Sequence, residues 1–111
     1  MDLEEYFATG PAHERPVFDA VMAHLRTLGP VHVEPVSVGI FLKRSRPFAE
    51  LRPMQRWVSL SFALDHEVHH PKIVRRMKGS ARRTHHVVRL HGPADVDVDV
   101  RAWLTESYLD A

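Results

Sequence analysis

The sequence contains no cysteine, and this absence removes several functional classes. Disulfide scaffolds, thiolate zinc sites, iron–sulfur clusters and cysteine nucleophiles all require a thiol. Glycine is also scarce, because the chain has five glycines and each is isolated from the others. A glycine-rich phosphate-binding loop is therefore absent as well.

Long apolar runs are missing too. No stretch approaches the roughly 20 apolar residues of a membrane-spanning helix. The acidic start, with Asp2, Glu4 and Glu5, does not resemble a signal peptide. We therefore expect a cytoplasmic protein that does not enter a membrane. With 44% hydrophobic residues, the 111-residue chain can build a core, which predicts one domain over residues 1–111.

Neither sign of charge is in excess, but the charges are unevenly distributed along the chain. The 15 Lys and Arg residues nearly balance the 14 Asp and Glu residues, which excludes a basic tail and an acidic disordered segment. Between Lys43 and His91, however, twelve basic residues stand against three acidic ones, a net charge of +9. The two ends carry three arginines and eleven carboxylates, a net charge of −8.

Both ends of the chain are predicted to be helical. Asp2 and Glu5 form a capping pattern for a short first helix. A second helix is indicated by apolar residues spaced four, four and three apart. These residues are Val17, Val21, Leu25 and Leu28. The final helix has Asp95 as its expected N-cap. Its apolar face comprises Val100, Trp103, Leu104 and Tyr108.

Between the helices the apolar period changes to two, which is typical of strands. The clearest strand runs from Trp57 to Leu64, with large apolar residues on one face and Trp57, Ser59 and Ser61 on the other. Further candidates cover residues 31–34, 38–42, 48–51, 73–77 and 85–91. The loops are too short for crossover helices, so the strands should be antiparallel. The predicted fold is an α+β two-layer sandwich, with five to six strands and the N- and C-terminal helices on one face.

Several segments resemble one known family. They are residues 39–43, 46–53, 57–62 and 84–90 and the final helix over residues 97–108. Together they resemble the bacterial domain of unknown function 5655, some members of which are labelled predicted transport proteins. The resemblance implies no settled activity and no catalytic residues. The helix–sheet–helix order is also similar to small frataxin-like domains, in topology alone.

A metal site is one hypothesis, because carboxylates and imidazoles lie close together between residues 65 and 70. Asp65, Glu67, His69 and His70 are the candidate ligands, and such oxygen and nitrogen donors suit several transition metals. The alternative is a polar hairpin loop with solvated histidines, since the helical His-Glu-x-x-His motif is absent. No other cofactor is predicted.

An anion site is the second hypothesis, and it has two possible locations. The stretch from Lys72 to Arg89 contains no carboxylate and includes Arg75, Arg82 and Arg83. Arginine binds carboxylates and phosphates through two parallel hydrogen bonds. The alternative is a solvated hairpin whose charges pair with the acidic terminal helices. Nucleic acid is a less favoured ligand, because this stretch lacks aromatic residues that stack on bases.

The second possible location surrounds Phe48. Lys43, Arg46 and Arg52 would line an anion pocket if one face of the sheet were open, and Trp57 would form a flat wall. The small residues on the face of Trp57 would leave room for a ligand. The alternative is that the second helix covers this face and that Trp57 belongs to the core.

Three function hypotheses follow. The first is a non-enzymatic module that presents a basic sheet or hairpin surface to an anionic small molecule or an acidic protein. The second is a small enzyme in which His85 or His86 acts as a general acid or base beside anion-binding residues. The third is the metal-binding protein described above. The direction in which the histidines and arginines point distinguishes the three hypotheses.

Overall fold

A computed structural model describes residues 1–111 and contains one six-stranded antiparallel sheet. The strands are β1 His32–Val36, β2 Gly39–Lys43, β3 Pro47–Pro53, β4 Val58–Leu64, β5 Ile73–Lys78 and β6 Thr84–Leu90. Their order in the sheet is β1-β2-β3-β4-β6-β5. The helices are α1 Leu3–Thr9, α2 Glu14–Leu25 and α3 Val98–Asp110. The α+β fold with an antiparallel sheet and helices at both ends is therefore confirmed.

Two aspartates cap the terminal helices. The Asp2 carboxylate accepts a hydrogen bond from the Glu5 backbone N–H at 2.8 Å, as the capping pattern predicts. In α3 the N-cap is Asp97, which accepts from the Val100 N–H at 3.1 Å. The prediction of Asp95 as this cap is wrong. Asp95 lies in a short 3-10 turn, and its carboxylate accepts from the His91 N–H at 2.8 Å instead.

The core lies between the helices and one face of the sheet. It is a single cluster of 23 buried residues. Strand β4 contributes Val58, Leu60, Phe62 and Leu64, because alternate residues of a strand point to the same face. Helix α3 packs on β3 and β4 and also contacts α2. None of the helices combines the length and the apolar character that a membrane span requires.

The opposite face of the sheet is not covered by a helix. Ser59 and Ser61 on β4 are only half-buried, and Trp57, which immediately precedes this strand, is half-buried too. The alternative in which α2 covers the face of Trp57 is therefore not the one observed.

A buried hydrogen bond joins α1 to α2. The Tyr6 hydroxyl donates to one carboxylate oxygen of Glu14 at 2.5 Å, and the other oxygen has no partner. Glu14 is fully buried. Burial raises the pKa of the Glu14 carboxyl, because an unpaired charge is poorly solvated in the core.

The Glu14 pair predicts a loss of stability at high pH. The folded pKa is raised, so the stabilisation is complete below the unfolded pKa of about 4.3 and declines as pH rises through the folded value. Glu14→Gln keeps an oxygen for the Tyr6 hydroxyl but cannot ionise. We expect this variant to unfold at higher urea concentration than the wild type at pH 8, with the difference shrinking towards pH 4. Equal midpoints at both pH values would contradict the prediction.

Candidate functional site

The uncovered face of the sheet contains a concavity of about 500 Å³, which we call the open-face groove. Its lining residues come from β3 to β6 and from the turn between β3 and β4. They are Glu50, Arg52, Met54, Trp57, Ser59, Ser61, Val74, Arg75, Met77, Val87 and Arg89.

The groove is concave because short side chains lie between long ones. Ser59 and Ser61 on β4 and Val87 on the adjacent β6 form its floor. Arg52 on β3 and Arg75 on β5 are longer side chains on the flanking strands, and they form part of its walls. Alternation along β3, β4 and β6 places their side chains on the side away from the core, and a shift of register in β5 places Arg75 there as well.

Arg89 and Trp57 form the best-defined contact in the groove. The guanidinium carbon of Arg89 lies 4.5 Å from the centre of the Trp57 ring. The indole N–H of Trp57 donates to the Ser59 hydroxyl oxygen at 3.3 Å. A guanidinium held against an aromatic ring keeps its N–H donors available, because they point outwards in the guanidinium plane. The contact therefore orients Arg89 without using its donors.

Two arginines of the groove have no anionic partner. The ion pairs made by lysine and arginine involve Arg15, Lys43, Arg52 and Lys72. Arg75 and Arg89 are therefore unpaired. Arg52 lies 3.2 Å from Glu50, the sole carboxylate that lines the groove. The groove thus has a net positive charge and its single acid already has a partner.

Three of the seven predicted ligand-binding residues line this groove, namely Arg52, Trp57 and Arg75. The other four lie elsewhere. Lys43 donates to Glu34 at 2.8 Å, and this hydrogen bond lowers the pKa of the Glu34 carboxyl. Arg82 is exposed in the turn between β5 and β6.

Arg46 and Arg83 bind backbone carbonyls instead. Arg46 donates to the Asp110 carbonyl at 3.0 Å, and Arg83 donates to the Pro47 carbonyl at 3.0 Å. Arg89 lines the groove but was not among the predicted ligand residues. His85, Val87 and Arg89 are alternate residues, so the sequence did indicate that they share one face of a strand. The sequence did not show that Arg89 on β6 lies directly opposite Ser59 on β4, which is what places Arg89 in the groove.

The two histidines predicted as catalytic candidates lie on opposite faces of the sheet. His86 is fully buried in the core, where its Nε2 accepts a hydrogen bond from the Val68 backbone N–H at 2.9 Å. His85 lies on the open face and is half-buried. Burial lowers the pKa of His85, and the positive charge of Arg83 lowers it further.

The four predicted metal ligands do not converge on one point. Glu67 and His69 pair with each other at 3.1 Å, and His70 faces Asp99 at 3.5 Å. Asp65 lies instead near His66 and Glu106, with one potential donor atom from each within 4.8 Å of the others. His66 and Glu106 already form a hydrogen-bonded ion pair, which raises the pKa of His66. Asp65 and His66 are exposed, so this group resembles an ordinary surface ion pair.

The chain belongs to the family described as "Domain of unknown function (DUF5655)", whose model matches residues 3–111. This match confirms the resemblance seen in the strand segments and the final helix. No curated protein and no solved structure matches the chain. The family description gives no activity, so a function has to be argued from the open-face groove.

Proposed function

We propose that this chain is a binding module that holds an anionic small molecule in the open-face groove. The observation that carries the proposal is the pair of unpaired arginines, Arg75 and Arg89, beside a floor of small residues. The Arg89 guanidinium is already oriented by Trp57. Less side-chain freedom is therefore lost when Arg89 binds an anion, which favours binding.

The donor groups of the groove suit an oxyanion. Guanidinium groups bind carboxylate and phosphate oxygens through charge-assisted hydrogen bonds, which are stronger than neutral ones. The Ser59 oxygen accepts from Trp57, so its own O–H remains free to donate to a ligand. The volume of about 500 Å³ falls within the usual range of small-molecule sites, roughly 300–1,000 Å³.

The shape of the face favours a small molecule over an acidic protein surface or a nucleic acid. Arg75 and Arg89 both contribute to a concavity, and a broad protein surface would reach its floor poorly. The Arg89 guanidinium occupies one face of the Trp57 ring, which leaves less of the ring for a base to stack on. Binding of polyanions but not of small anions would instead favour a macromolecular partner.

Substitution of the unpaired arginines tests the proposal. We expect Arg89→Gln and Arg75→Gln each to weaken pyrophosphate binding by at least about tenfold, because each removes a charged hydrogen bond worth about 1.5–3 kcal/mol. Isothermal titration calorimetry of the wild type and the variants at low salt measures the affinities. Binding should also weaken as salt is raised, since the groups that bind the anion are partly exposed.

Arg26→Gln is the matched control. Arg26 is an exposed arginine at the end of α2 and does not line the groove. This variant should bind pyrophosphate as the wild type does. Absence of pyrophosphate and inorganic phosphate binding by the wild type would contradict the proposal, as would an equal loss of affinity in Arg26→Gln.

A small enzyme is the second candidate function, and one observation favours it. His85 and Ser61 line a shallow cavity of about 80 Å³ that shares Glu50 and Ser61 with the groove. The lowered pKa of His85 favours a neutral imidazole, which is the form that accepts a proton. Turnover of p-nitrophenyl phosphate or p-nitrophenyl acetate that His85→Gln abolishes would support this function. Absence of turnover would contradict the enzyme and leave the binding module as the proposed function.

A further inference from the structure

The open-face groove combines its cations with exposed apolar side chains. Seven large hydrophobic residues are exposed in the whole chain, and three of them line this groove. They are Met54, Val74 and Met77, with 39%, 51% and 37% of their surface exposed. Exposed apolar groups that gather in one concavity usually mark a binding site rather than chance.

A β-bulge in β5 places two consecutive residues, Val74 and Arg75, in the groove. The pairing of β5 with β6 shifts register between Ile73 and Arg75, so Val74 is an extra residue in the strand. Without the shift, Val74 and Arg75 would point to opposite faces. Both line the groove as observed, and bulges commonly redirect side chains in this way beside functional sites.

We propose that the ligand is amphipathic, with an oxyanion head group bound by Arg89 and Arg75 and an apolar body that covers Met77 and Val74. This inference rests on the proposed function and adds the class of ligand. A small inorganic anion would leave the methionines exposed to water. A purely apolar ligand would leave two guanidinium groups buried without a partner, which is costly.

The exposed apolar residues of the groove should tolerate ligand bodies of different shapes. Two of these three residues are methionines, Met54 in the turn between β3 and β4 and Met77 on β5. Methionine side chains are flexible and polarisable, so they adapt to irregular apolar surfaces. The head group should therefore be selected more strictly than the body.

Four probes separate the head from the body. They are inorganic phosphate, 1-naphthyl phosphate, 1-naphthoate and 1-naphthol, each titrated into the full chain at low salt by calorimetry. We expect 1-naphthyl phosphate to bind at least about tenfold more tightly than phosphate, because the ring buries apolar surface. We expect 1-naphthol to bind at least about tenfold more weakly than 1-naphthyl phosphate, because it lacks the charge. The tighter of the naphthyl phosphate and the naphthoate identifies the preferred head group.

Substitution of an apolar residue of the groove gives an independent test of the amphipathic ligand. Met77→Gln should reduce the affinity for 1-naphthyl phosphate about fivefold and leave the affinity for phosphate unchanged, since it removes apolar contact alone. Leu109→Gln is the control, because Leu109 is an exposed apolar residue of α3 that does not line the groove. It should change neither affinity.

The outcomes distinguish this inference from the proposed function. Equal affinities for phosphate and 1-naphthyl phosphate would overturn the amphipathic ligand and leave an anion site. Equal affinities for 1-naphthol and 1-naphthyl phosphate would overturn it as well, because the head group would contribute nothing. Absence of binding by all the anions would overturn the proposed function together with this inference.

Discussion

Replacement of Phe62 by alanine is expected to lower the free energy of unfolding by about 3–5 kcal/mol, the usual cost of removing a buried phenylalanine. Phe62 is fully buried on β4, next to the middle of the sheet. Its ring stacks on His86 at 5.3 Å between centroids and on Trp103 of α3 at 5.4 Å. The truncation would remove the stacking of Phe62 on Trp103, which is one of the contacts between the sheet and α3, and leave a cavity that the two rings cannot fill.

Urea denaturation followed by tryptophan fluorescence measures this effect. Domains of this size are stable by roughly 5–15 kcal/mol, so a large share of the variant should be unfolded at modest urea concentration. Phe41→Ala is the control, since Phe41 is a half-buried phenylalanine of β2 on the open face. Phe41→Ala should lower the free energy of unfolding clearly less than Phe62→Ala does. Equal losses in the two variants would mean that burial does not decide the effect.

The alternation of residues in β4 was sufficient to predict which side chains share each face of the sheet, but not that the face of Trp57 is open. Val58, Leu60 and Phe62 are apolar and Ser59 and Ser61 are polar, so only one register buries the apolar set. The helix pattern around α2 was equally informative, because its apolar spacing matches the helical period. The fold class therefore follows from local periodicity.

The composition of the groove could not be derived in the same way. Ser59 and Arg89 lie opposite each other although 30 residues separate them, and periodicity does not give the pairing of distant strands. The bulge at Val74 is a second example, because it depends on how β5 meets β6. Periodicity placed Arg89 on a strand face but did not show that its neighbour would be Trp57.

Two arginines of the turn between β2 and β3 donate hydrogen bonds to carbonyl groups at the end of α3. Arg44 donates to the Tyr108 carbonyl at 3.1 Å, and Arg46 donates to the Asp110 carbonyl. Helix α3 has no basic residue in its last turn. Its final carbonyls lack helical partners and carry partial negative charge, so cations from elsewhere satisfy them. This explains why Arg46 does not contribute to the groove.

The uneven charge of the sequence is partly balanced in the fold. Lys72, which immediately precedes β5, pairs with Asp97 and Asp99 at the start of α3, so the basic segment meets the acidic C-terminal end there. Arg75 and Arg89 lie in the same basic segment but point to the open face, which the acidic helices do not reach. Arg75 and Arg89 therefore belong to the part of the +9 segment that internal ion pairing leaves over.

Replacement of His86 by alanine is expected to lower the free energy of unfolding by about 2–4 kcal/mol, from the cavity and the lost hydrogen bond together. The imidazole packs on Phe62 and accepts the Val68 N–H, which ties the loop after β4 to the sheet. His86→Gln should cost less if its side-chain oxygen takes over as the acceptor. Urea denaturation at pH 7.5 compares the two variants.

His86 also predicts a loss of stability in acid. Burial lowers its folded pKa, so the unfolded chain binds the proton first as pH falls. Stability should be complete above the unfolded histidine pKa of about 6.5 and decline below it. Protonation also converts Nε2 from acceptor to donor, which breaks the bond to Val68. Between pH 7.5 and 5, the urea midpoint should fall more in the wild type and in the exposed-site control His69→Gln than in His86→Gln. Parallel declines in all three proteins would show that His86 is not the group that titrates.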